Sequence, residues 1–304
     1  MGAFIFAAQM INFSIPGTGS SGHLGGGLIL SIVLGPYAGF LVMASVLVIQ
    51  ALFFADGGLL ALGCNIVNLG FFTCFIAYPL VYRRMASGAA SRAKSAAAAL
   101  LTAVLGLQMG AFAVVLETLL SGKTELPFGT FVLLMQPIHL AIGLVEGLVT
   151  AAVVAYVEAA SPGIVERAGS GEALGQVPTR KALAGLALVA VLTGGLLSWF
   201  ASSNPDGLEW SMERSSGSAE LEAEGSVYAG AARLQESTAF LPDYGFRKAP
   251  AEAEGGGEAV EAWPAVDPGT SVAGLVGGAM TLALAALVGL SLRALKAAGG
   301  GKRA

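Results

Sequence analysis

What most restricts this chain is a series of apolar runs, at roughly residues 2–15, 24–34, 37–55, 59–82, 96–119, 129–158, 182–200 and 271–294. A bilayer core about 30 Å thick is crossed by about 20 mainly apolar helical residues, and several runs reach that length without a charge. Only 12% of the 304 residues are charged and 55% are hydrophobic, with a mean hydropathy of +0.74, whereas soluble domains carry about 25% charged residues. The ten-residue alternating segments of a membrane barrel are absent, so the spans are helices. The expected fold class is all-α: a polytopic transmembrane bundle of about six spans plus two, with the lipid bilayer as its first partner.

Lysine and arginine positions give the orientation, since basic residues collect on the cytoplasmic side. Arg83, Arg84, Arg92 and Lys94 share one loop, Arg167, Arg180 and Lys181 another, and Arg293, Lys296, Lys302 and Arg303 follow the last run. With these inside, residues 16–23, 56–58, 120–128 and 201–270 fall outside. The outer segment 201–269 has thirteen acidic and four basic residues. Its stretches Ser215 to Gly225 and Ala249 to Gly257 have the composition of a flexible linker, and an acidic loop that attracts cations is the sharper reading. Residues 161–181 form a cytoplasmic linker, dividing a six-span domain, 1–160, from a two-span domain, 182–304. Residues 1–15 lack the basic flank and cleavage pattern of a signal peptide. They read as a helix that opens partway through an element.

Between the first two runs lies Pro16-Gly-Thr-Gly-Ser-Ser-Gly-His23-Leu-Gly-Gly-Gly27, polar, glycine-rich and holding one of only two histidines. Glycines let the backbone leave the helix. Irregular backbone at membrane depth survives only where protein or water satisfies it, usually around a cavity. His23 is thus the first candidate for contacting a ligand, against the plainer reading of a satisfied structural histidine. A second polar stretch puts Asp56, Asn65 and Asn68 at the outer entrance of the run 59–82. It reads either as a second shell around His23 or as amides tying broken helices together. In the run 129–158, Gln136, His139, Gly143 and Glu146 fall near one helical face. Ionisable residues there usually face the bundle interior, and Gly143-x-x-x-Gly147 permits close helix packing. A packing or coupling face holding a buried His139/Glu146 pair is the favoured reading. Cys64 and Cys74, ten residues apart on one run, cannot bridge to each other. No Walker motif, nucleophile elbow, HExxH or Cys/His cluster is present, so nothing points to catalysis, a resident cofactor, nucleotide binding or nucleic acid.

These residues carry a resemblance. Asn12-Phe-Ser-Ile-Pro16, Gly19-Ser-Ser-Gly-His-Leu-Gly25, Leu34-Gly-Pro36, Gln50-Ala-Leu, Asp56-Gly-Gly-Leu, Ala61-Leu-Gly-x-Asn65-x-x-Asn68-x-Gly70 and Pro137-x-His139-x-x-Ile142-Gly-x-x-Glu146 are similar to the cobalt/nickel-binding M component of energy-coupling factor transporters. Asn204-Pro-Asp-Gly-Leu-Glu-Trp-Ser211 resembles the signature of the small two-span N component, so the chain resembles an M–N fusion. The resemblance implies a non-enzymatic transporter subunit of a bacterial or archaeal inner membrane. It would take Co²⁺ or Ni²⁺ outside and work with a transmembrane coupling subunit and ATPase subunits. His23 occupies the position of a metal-ligating histidine. Family members begin Met-His on an additional first span that supplies most of the ligands; this chain begins Met-Gly, at what resembles the second span. The alternative is a scaffold or degenerate subunit that binds no metal.

Overall fold

A computed structural model of the chain describes residues 1–86, 91–122, 126–172, 177–219, 225–247 and 263–300. The helices are α1 (Gly2–Gln9), α2 (Gly27–Leu34) and α3 (Pro36–Phe53), then α4 (Leu59–Met85). They continue with α5 (Arg92–Ser121), α6 (Phe128–Ala160), α7 (Ile164–Ser170), α8 (Arg180–Gly195), α9 (Gly207–Ser216), α10 (Ser226–Thr238) and α11 (Pro268–Gly300). A single antiparallel hairpin, β1 (Phe13–Ile15) with β2 (Ser20–Gly22), joins α1 to α2.

The all-α, multi-pass expectation holds: α3, α4, α5, α6 and α11 are long and apolar enough to cross a membrane. The other three expected spans are shorter. The run 2–15 is helical only to Gln9, because Phe13–Ile15 turns back to pair with Ser20–Gly22. The run 24–34 becomes helix only at Gly27, after Gly26 takes the left-handed conformation (φ 81°). Each of these two helices has eight residues, about 12 Å at about 1.5 Å per residue, under half of a bilayer core. The run 182–200 is helical to Gly195 and continues as a 3-10 turn, Leu197–Phe200.

The local signals are readable. Pro36 starts α3 where its missing N–H costs nothing. The Ser91 side chain caps α5 by accepting from the Lys94 amide, and Gly122 ends that helix left-handed. Most of α4, Ile66–Tyr82, winds as a π-helix with Pro79 inside it. Two half-helices so short cannot form a bundle by themselves; both are buried almost all round. α1 lies against α8 and α11, with the Phe6 ring occupying the space that a Cβ on Gly277 would need. The C-terminal helices thus complete the packing of the N-terminal ones. The outer segment is not a bare linker where it is described: it folds into α9, α10 and a turn, Pro242–Tyr244. Residues 220–224 and all of Ala249 to Gly257 lie outside the described residues.

Candidate functional site

The hairpin and the start of α2 are built from glycine, so their backbone groups need partners from elsewhere. Glu146, fully buried on α6, supplies two: its carboxylate accepts from the amides of Gly25 (2.8 Å) and Gly26 (3.0 Å). These are orphan N–H groups at a helix N-terminus, where an anion is favoured. On the other side of the same peptide unit, the Gln9 amide donates to the Gly25 carbonyl (2.9 Å), and Gln50 donates to Gln9 in turn (2.9 Å). Gly25, two residues from His23, is held at both its N–H and its C=O.

His23 is half-buried, and its Nδ1 lies 3.1 Å from the Leu24 carbonyl. A carbonyl can only accept, so Nδ1 is the nitrogen that carries a proton here and Nε2 is the second ring nitrogen. His139 is arranged alike, Nδ1 donating to the Met135 carbonyl at 2.8 Å. The two imidazoles are within electrostatic reach of each other, and His23 of Glu146. The expected His139/Glu146 pair does not form. At about 100° per residue, Gln136, Gly143 and Gly147 share a line on α6, and His139 and Glu146 sit about 60–80° around from it. The first three face α5: Gln108 and Gln136 exchange side-chain to backbone bonds (2.7 and 3.4 Å), and a Cβ on Gly143 or Gly147 would meet Val104 or Leu100. His139 and Glu146 face the hairpin, where the Ile142 side chain fills the space beside Gly22.

Over the hairpin lies the segment that starts α9. Asp206 caps this helix, accepting from the Leu208 and Glu209 amides while Glu209 reaches back to the Asp206 amide, a reciprocal capping box. The preceding backbone docks on the hairpin: Ser21 donates its N–H to Pro205 (2.8 Å) and its hydroxyl to Asn204 (2.8 Å), and Trp210 Nε1 donates to Thr18 (3.1 Å). A Cβ on Gly207 would sit 2.7 Å from Ile138 and 3.2 Å from His139, so only glycine lets the segment lie this close. Sequence reasoning found the signature residues but not this contact; the glycine after a capping aspartate was the available clue.

Asp56, Asn65 and Asn68 find their contacts away from the hairpin. Tyr244 donates to the Asp56 carboxylate, the Asn65 amide lies against Gly57, and Asn68 donates to Glu117 on α5 (2.9 Å). Among the described residues, no group of three or more His, Cys, Asp or Glu side chains is gathered to hold a metal ion. What the site offers is one half-buried imidazole on a braced loop, a second imidazole nearby, and a buried carboxylate that holds the loop.

Two known families match the chain. Residues 1–164 match the cobalt uptake substrate-specific transmembrane region, and residues 180–294 match the PDGLE domain. A chain of Archaeoglobus fulgidus named as a fused nickel transport protein, NikMN, is 37% identical over 286 residues, covering 93% of this chain and 81% of that one. The cobalt transport protein CbiM of Sorangium cellulosum is 32% identical over 174 residues, 54% of this chain and 73% of its own. The solved crystal structure of a truncated transition metal transporter is 32% identical, covers 51% of this chain and 76% of that one, and has a TM-score of 0.44.

Proposed function

The chain belongs to the cobalt uptake substrate-specific transmembrane family, with a PDGLE domain behind it, and we propose that it is the substrate-binding subunit of an energy-coupling factor importer for Co²⁺ or Ni²⁺. It works in the inner (plasma) membrane of a bacterium or archaeon and takes its ion on the extracytoplasmic side. A separate coupling protein and ATPase subunits drive the inward step. It is a transport subunit rather than an enzyme.

One observation carries this reading: the His23 imidazole is tied through its Nδ1–H to the Leu24 carbonyl. A hydrogen bond at one ring nitrogen orients the other for a metal, and imidazole nitrogen suits both Co²⁺ and Ni²⁺. The Glu146 carboxylate, accepting from the Gly25 and Gly26 amides, holds the loop two residues beyond that imidazole. Relatives named for nickel and for cobalt transport agree with this chemistry.

The test is uptake of radioactive nickel or cobalt by cells making the full chain with its coupling and ATPase subunits. His23→Ala should lower uptake tenfold or more, in line with loss of a ligand or its orienting partner, at unchanged protein level and melting temperature. Uptake equal to wild type would overturn the assignment and leave the scaffold reading in place.

A further inference from the structure

The segment between α8 and α11 holds two helices, and only one of them finds a place for its apolar side chains. On α9, Trp210 packs with Ile15 and Ile138, and Leu208 and Met212 pack with Phe131 and Met135. On α10 (Ser226–Thr238) no residue is buried. At about 100° per residue, Val227, Ala231, Leu234 and Thr238 fall within about 60° of one another, while Glu236 and Arg233 lie about 130–170° round from the middle of that stripe. The helix is thus amphipathic, yet Val227 is 67% and Leu234 51% exposed. An amphipathic helix with its apolar face open lacks the partner that face is made for.

The seat of α10 narrows what that partner is. Gln235, about 70° round from the stripe, donates to the carbonyls of Ala51 (3.1 Å) and Gly57 (2.7 Å). Ala51 is in the last turn of α3 and Gly57 lies just before α4, so α10 is tied down where two helices long enough to cross a membrane both end. Such ends mark the edge of the apolar layer. α10 also lies against the first turn of α4, where Leu60 is 49% exposed, so the open stripe stands beside an apolar side chain at the mouth of a span. Aromatic rings gather at this level, as they do where membrane meets water. Phe240 is half-exposed and sits 5.9 Å from both Phe53 and Phe54 at the end of α3, and Tyr228 and Phe246 are exposed near it in sequence.

We propose that α10 is an interfacial helix whose partner is the bilayer surface. It lies in the plane of the membrane, with Val227, Ala231 and Leu234 at the boundary of headgroups and acyl chains and with Arg233 and Glu236 in water. Lipid then covers the face that protein leaves open, and helps to keep Gln235 over the end of α3. Nothing in this depends on the ion carried.

Spin labelling of the full chain in nanodiscs tests it. With the exposed native thiol changed, Cys64→Ser, single labels go on at Val227→Cys, Leu234→Cys and Glu236→Cys, all exposed positions that folding does not depend on. Labels at 227 and 234 should collide with dissolved oxygen and be shielded from chromium oxalate, which stays in water, at a depth of about 5–10 Å into the boundary. The label at 236 should show the reverse. The first two should agree in depth, because an upright helix would separate them by about 10 Å, seven residues at about 1.5 Å each. Equal access of chromium oxalate to all three positions would put the stripe in water and overturn the proposal. Depths at 227 and 234 that differ by the upright spacing would overturn it as well, and so would shielding of both labels from both reagents, which means that protein, not lipid, covers the stripe.

Discussion

Two glycine-rich polar stretches interrupt the apolar runs, 16–27 and 56–70, and they look alike in sequence. The fold treats them in opposite ways. In the second, the polar side chains are consumed: Asp56 by Tyr244, Asn68 by Glu117, Asn65 against Gly57. In the first, it is chiefly the backbone that is consumed, by Glu146, Gln9 and the Asn204–Pro205 carbonyls, while the His23 ring bonds through Nδ1 to its neighbour's carbonyl. In the function proposed above, that difference separates a binding loop from a structural tie: a main chain satisfied from outside leaves a side chain for a ligand.

The contrast breaks most visibly at Glu146. Glu146→Ala leaves two buried N–H donors without partners, at about 1–3 kcal/mol each, so the chain should lose about 2–6 kcal/mol of stability in detergent melting. Glu146→Gln should recover little, because its NH₂ would face a donor. A loss under about 0.5 kcal/mol, the scale of an ordinary surface change, would mean that the carboxylate does not hold the loop.

Glycines sharpen it next. At Gly22 a Cβ would run into the Ile142 side chain, so Gly22→Ala should cost about 1–3 kcal/mol by overpacking, and adding Ile142→Ala should return part of it. At Gly63, on the second stretch, a Cβ meets nothing within 4 Å, and the residue lies in a helical segment, Leu62–Asn65. Gly63→Ala should therefore stabilise by about 0.4–1 kcal/mol. Equal signs at the two positions in chemical or thermal melts would erase the distinction.

Much of this was legible. Length and charge marked the five long spans, and an isolated histidine in glycine-rich backbone marked the loop. Hydropathy could not mark the end of α1, since Phe13 and Ile15 are as apolar as the helix before them. Nor could it separate His139 and Glu146 from Gln136 without resolving the α6 surface to a fraction of a turn. Gln9 and Gln50 left a faint signal, single amides in apolar runs that need buried partners. Which partners they take is a long-range fact, set by the packing of α1 on α3 and against the start of α2.

The smallest expected effect falls on the second stretch, at Asn68. Its Nδ2 donates to Glu117 Oε2 at 2.9 Å, but its Oδ1 is buried with no partner. Asn68→Ala gives up a hydrogen bond to a charged group, about 1.5–3 kcal/mol, and removes an unsatisfied buried acceptor, a gain of about 1–3 kcal/mol. The two terms nearly cancel, so melting should move by no more than about 1 kcal/mol in either direction, and metal uptake should stay at the wild-type level. The comparison turns on that second readout. If Asn68→Ala lost uptake as His23→Ala is expected to, while melting normally, the second stretch would be part of the binding machinery after all.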